Sequence, residues 1–240
     1  MARGESILKK ADGRMNRREA IGAMGAASAA LALGCTGDTV TGPSTTTGTT
    51  TTTGTNAACA VTPSETAGPF PSRADFFRND IREGKNGTVL TLTIKVVNTS
   101  SSCAPVPNAD VEIWHVDAAG DYSQYGSQAS QTFLRGVQTT NANGEVAFTT
   151  IYPGWYQGRA THIHAEVTIN GVSRKVTQIA FPESVNNTVH ASGAYASRGT
   201  NPTTNAADGI FADSLASELV TPTGSTASGY AATFQIAIAL

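Results

Sequence analysis

His162 and His164 are two residues apart, and in an extended strand that spacing puts both imidazoles on one face with Ile163 on the other. Two histidines on one face suggest a metal site. Pro153-Gly154 marks a turn just upstream, and Trp155, Tyr156 and Arg159 follow it within reach of the histidine strand. Tyr122 ends a separate stretch, Trp114-His-Val-Asp-Ala-Ala-Gly-Asp-Tyr122. A phenol ionises near pKa ~10 in water, yet a bound cation can strip its proton at neutral pH. Two phenolates with two imidazoles form a hard, anionic set suited to Fe(III). On the histidine pair alone, the plainer account is that Ile163, Ala165, Val167 and Ile169 are core and the histidines face water. The two tyrosines and the arginine shift the balance toward chemistry.

A strand carrying such a site needs a scaffold. Thr88 to Val97 alternates, with Leu90, Leu92, Ile94 and Val96 on one face, and reads as a half-buried strand. Further strands are expected over Asp110 to Val116, Glu145 to Ile151, His162 to Ile169, Arg174 to Phe181 and Tyr230 to Ala239. Asn141-Ala-Asn-Gly144 introduces the third strand, and Asn170-Gly171 is a strong hairpin signal between the fourth and fifth. Only Ile210 to Leu219 suggests a short helix. Thr62 to Pro71 is rich in Pro and Gly and reads as an irregular arm. The expected fold is an all-β sandwich with that arm and few short helices.

The 240 residues carry a net charge of -2, with 14% charged residues, so no basic footprint for nucleic acid is present. Arg14, Arg17 and Arg18 precede an uncharged run from Ala20 to Gly34, the pattern of an export signal, and the arginine pair resembles a twin-arginine leader. Leu31-Ala-Leu-Gly-Cys35 resembles a lipoprotein cleavage site. Cys35 is then either a lipidated membrane tether or discarded with the leader. Residues 1–35 are therefore read as leader, 36–58 as a Thr- and Gly-rich linker and 59–240 as one domain on the periplasmic or extracellular side. With Cys35 set aside, Cys59 and Cys103 remain to pair in an oxidising compartment or to stay as thiols.

The segments Trp114 to Tyr122, Phe133-Leu-Arg-Gly136, Thr140 to Tyr156, Arg159-Ala-Thr-His-Ile-His164 and Thr177-Gln178 together resemble the core of the intradiol ring-cleavage dioxygenases. Thr62 to Pro69 is similar to the arm preceding that core in the protocatechuate group. The resemblance implies a non-haem Fe(III) cofactor held by Tyr122, Tyr156, His162 and His164. It implies that a catechol-type aromatic binds the iron, that Tyr156 leaves the metal and accepts a proton, and that Arg159 stabilises charge on the ring. Reaction with O2 then gives a muconate-type diacid, with Gln178 lining the pocket.

Two features depart from the family pattern. Only five residues separate Tyr156 from His162, so the pocket is expected to be open. A two-residue hairpin at Asn170-Gly171 would place Thr177 opposite His164 and turn Gln178 to the other face, unless a bulge intervenes. His115 alternates away from Trp114 and packs or faces solvent, and His190 is expected in a loop. Arg135 and Trp155 either line the pocket or are structural. The rival functions are a non-catalytic prealbumin-like binding module and a site for copper or zinc.

Overall fold

The computed structural model describes residues 59–240. The leader expected over residues 1–35, with Cys35, and the linker expected over 36–58 lie outside the described residues.

Two sheets face each other. The first is built on β1 (Val89–Asn98), which pairs in parallel with β9 (Gly229–Ile238) and antiparallel with β5 (Glu145–Ile151) and β2 (Ala104–Pro105). β8 (Thr223–Ser225) extends the β9 edge. The second sheet runs in the order β4 (Arg135–Thr139), β3 (Asp110–Trp114), β6 (His162–Ile169) and β7 (Val172–Ala180), and every pairing in it is antiparallel. The expected all-β sandwich is the observed fold.

Alternation decides which residues fill the space between the sheets. Leu90, Leu92, Ile94 and Val96 of β1 meet Ile113, Ile163, Ala165, Val167 and Ile179 of the second sheet, all of them fully buried. Each large aliphatic side chain so buried contributes roughly 1.5–3 kcal/mol, enough to fix strand orientation. Because the apolar face of β6 is committed to this core, His162 and His164 must point to the outer side of the second sheet.

That outer side is covered rather than open to water. The arm enters at Cys59, which is disulfide-bonded to Cys103. Thr62 then pairs with β9 through its amide and hydroxyl, and the Glu65 amide donates to the Val176 carbonyl, carrying the arm across β7. Lys175 holds it from below, donating to the Thr62 carbonyl and the Ser64 hydroxyl.

Several elements escaped the sequence reading. β4 is short and contains Gly136, where a side chain would collide with Ile81. The helix α1 (Glu183–His190) has weak helix formers and no side-chain cap, so nothing local announces it. Its Asn186 accepts from the distant Tyr152 hydroxyl and donates to the Phe181 carbonyl just before the helix, contacts that stand in for helix propensity. His190 therefore ends a helix instead of lying in a loop. The expected helix over Ile210 to Leu219 shrinks to a single turn, α2 (Leu215–Glu218).

Candidate metal centre

His162 and His164 project from β6 with only 3% and 1% of their surface exposed, which removes the account in which they simply face water. Their Nε2 atoms lie 3.2 Å apart. His162 Nδ1 is 2.6 Å from the Ala160 carbonyl, a contact that requires Nδ1 to carry the proton and leaves the Nε2 lone pair free. His164 lies parallel to Trp114, its direct cross-strand partner, with ring centroids 4.9 Å apart. Burial pushes the His162 pKa down to about 3 and holds His164 well below its ordinary value, so both rings are neutral at neutral pH.

Tyr122 arrives from a loop that its own residues organise. Asp117 Oδ1 accepts from the Ala119 and Asp121 amides, each at 3.0 Å, and Lys85 pairs with the same carboxylate. Phe70 of the arm stacks on the Tyr122 ring at 4.8 Å. The Tyr122 hydroxyl is buried and has no hydrogen-bond partner among the described residues. Burial, and secondarily the neighbouring Tyr156 phenol, raises its pKa well above the usual phenol value.

Tyr156 is half-buried and completes the cluster. Its ring centroid lies 5.7 Å from those of both Tyr122 and His162. The segment before it is pinned by Trp155 Nε1, which donates to the Gly199 carbonyl, and by His190 Nε2, 3.2 Å from the Pro153 carbonyl. The short return to β6 is a turn closed by the Arg159 amide on the Tyr156 carbonyl, with Gly158 at φ 84°.

Arg159 reaches across the histidine face. Its Nε donates to Asp208 at 2.9 Å and its Nη2 to Gln178 Oε1 at 2.5 Å. Gln178 in turn donates to the Thr66 carbonyl of the arm. The hairpin does contain a bulge, with Thr168 opposite Ser173 but Val167 opposite Lys175, so that Arg174 is the extra residue. Gln178 therefore stands directly opposite His164.

Arg135, Asp208 and the arm contribute more than the sequence suggested. Arg135 is fully buried and donates to Ser72, to Ser123 and to the Phe70 and Ser123 carbonyls, tying the arm to the Tyr122 loop. Gly68, at φ 68°, lies against His164, where an added Cβ would be 3.3 Å from the ring. His115 is buried and satisfied by Val116 and Thr150, and it faces away from the cluster. Asp208 carried no local signal, being one carboxylate in a loop without periodicity.

Among the described residues no three His, Cys, Asp or Glu side chains converge. A cation here would have to be held in part by the phenols. The residues fit one: two neutral imidazoles whose Nε2 atoms face each other, a buried phenol unpartnered among the described residues and a second phenol beside it.

The fold and the cluster together define a β-sandwich protein with a mixed imidazole and phenol donor set beneath an arginine. A profile of the Dioxygenase family matches residues 66–199. The chain is 29% identical over 145 residues to catechol 1,2-dioxygenase of Acinetobacter baylyi, covering 50% of this chain and 46% of that protein. It is 32% identical over 133 residues to the protocatechuate 3,4-dioxygenase beta chain of Burkholderia cepacia, covering 50% and 55% respectively. It thus spans about half the length of the curated relatives it matches. Among solved structures, an intradiol ring-cleavage dioxygenase from Tetranychus urticae superposes with a TM-score of 0.68 at 30% identity, over 75% of this chain and 95% of that one. The chain belongs to the intradiol ring-cleavage dioxygenase family.

Proposed function

We propose that this protein is an exported, non-haem Fe(III)-dependent dioxygenase that opens a catechol-type ring between its two hydroxyls, using O2 and giving a muconate-type diacid. The observation that carries this reading is the convergence of His162, His164, Tyr122 and Tyr156, with the Tyr122 hydroxyl buried and unpartnered. The curated relatives named above support the catechol class.

Ferric iron bound by these four residues would supply the positive charge that ionises the phenols and a chelating catechol, and would activate the ring toward O2. The remaining work falls to the chain. Burial keeps both imidazoles neutral and ready to donate lone pairs. Tyr122 is enclosed by Phe70 and suits a fixed anionic position. Tyr156 is less enclosed and sits on a short turn, which suits it to move aside and take the proton of a substrate hydroxyl on its Oη. Arg159, anchored at Nε and Nη2, keeps other N–H groups to hold negative charge developing on the ring. Gln178 fixes that guanidinium against the arm. Trp114 and Phe70 exclude water from the ligand face.

The five-residue connection between Tyr156 and His162 leaves Gln157 and Gly158 exposed at the rim, which supports a bulkier extracellular aromatic as substrate. The test is iron loading followed by visible spectroscopy and oxygen uptake over a panel of catechols. Visible absorption with diacid formation is expected. Protein that stays colourless and forms no diacid would instead be a binding module.

A further inference from the structure

Asp208 lies beyond the matched segment, which ends at residue 199, and no part of its side chain is exposed. A buried carboxylate persists only where hydrogen bonds and opposite charge repay its lost hydration. Three donors do so here. The Ala160 amide reaches Oδ2 at 2.6 Å, Arg159 Nε reaches the same oxygen at 2.9 Å, and the Ile210 amide reaches Oδ1 at 2.8 Å. Despite its burial, these contacts hold its pKa below the usual carboxylate value.

The placement links two functions. The Ala160 peptide is gripped at both ends, its N–H by Asp208 and its carbonyl by His162 Nδ1. The same carboxylate oxygen fixes the guanidinium of Arg159. From this geometry we infer that Asp208 is a positioning residue, holding the arginine that faces the substrate in register with the His162 ring. The loop that bears it, held on Asn205 by the Phe181 carbonyl and on Asn201 by the Arg159 carbonyl, is thereby part of the active site. The inference rests on the function proposed above.

Full-length protein with Asp208→Asn, Arg159→Gln and both changes decides it. Asparagine keeps an oxygen for the Ala160 amide but loses the charge that holds Arg159. Asp208→Asn is expected to bind iron with unchanged visible absorption while kcat falls on the order of 10- to 100-fold and KM changes little, as for a misplaced transition-state contact. In the Arg159→Gln background the same change should have almost no further effect, because Asp208 acts through Arg159. A second readout needs no iron: the Arg159 Nε–H, followed by proton–nitrogen correlation spectra, should be protected from exchange in the wild type and exchange markedly faster in Asp208→Asn, whose neutral amide oxygen holds it more weakly. Wild-type turnover in Asp208→Asn, losses that multiply in the double variant, or an unprotected wild-type Nε–H would each overturn the inference. So would an Asp208→Asn chain that fails to fold, which would assign the carboxylate to stability alone. Wild-type protein that is colourless with iron and inert toward catechols would refute the proposed function instead, while the exchange measurement would still decide the Asp208 contact.

Discussion

His162 and His164 present their Nε2 atoms to each other at 3.2 Å, and neither ring is charged at neutral pH. With His162 protonated at Nδ1, the neutral His164 donates from Nε2 to the His162 Nε2 lone pair, which leaves the buried His164 Nδ1 without a partner among the described residues. The fold has built an under-satisfied polar spot on the outer face of its second sheet, and the Tyr122 hydroxyl beside it also lacks a partner among the described residues.

Tyr122→Phe should therefore separate stability from metal binding. Removing an unpartnered buried hydroxyl is expected to leave the metal-free protein as stable as the wild type, or more stable by about 1 kcal/mol. Iron affinity should fall sharply. Thermal unfolding of metal-free protein and iron titration would check the two halves.

Tyr156→Phe should change the visible absorption of iron-loaded protein and slow turnover by about 100-fold or more, as expected on losing both a ligand and a proton acceptor. Unchanged absorption and turnover would remove Tyr156 from the centre.

Glu112 and Glu166 are direct cross-strand partners on β3 and β6, and burial raises the Glu112 pKa to about 7 from an ordinary 4.5. A raised carboxylate pKa adds stability that is complete below pH 4.5 and lost as pH rises through 7. Glu112→Gln should thus stabilise the protein by about 1–3 kcal/mol at pH 8, with the gain vanishing near pH 4.5. His162 works in the opposite sense. Its pKa, depressed from 6.5 to about 3, gives stability that is present above pH 6.5 and lost as pH falls toward 3. Chemical denaturation of metal-free wild type and variant across this range would show both slopes.

The Cys59–Cys103 bond joins residues 44 apart and anchors the arm that roofs the histidines. Loop-closure entropy assigns such a link about 4 kcal/mol. Reduction, or Cys59→Ser with Cys103→Ser, should lower Tm by roughly 10 °C, and calorimetry with and without reductant would measure it.

Gly68→Val places a branched side chain at positive φ against the His164 ring. The expected cost is about 1–3 kcal/mol, with a displaced ring and weaker iron binding. Thermal melts and iron titration of the purified variant would test this.

The sequence by itself determined a good deal of this protein. Alternation in Val89–Asn98 and His162–Ile169, with the Asn170-Gly171 turn, set the sandwich and put both histidines on one face, because strand geometry is local and has a period of two. The motif with Tyr122, Tyr156 and Arg159 marked the remaining residues that the fold brings beside the histidines. Burial of that face was not legible, because it depends on an irregular arm whose anchors, Lys175, Gln178 and Arg135, are distant in the chain. The bulge at Arg174 was equally hidden, since one extra residue changes the register without changing the pattern, and it alone brings Gln178 opposite His164. Asp208 belongs wholly to the tertiary structure. A single carboxylate in a loop has no periodicity to betray it, and only the packing of that loop against Arg159 and Ala160 gives it a role.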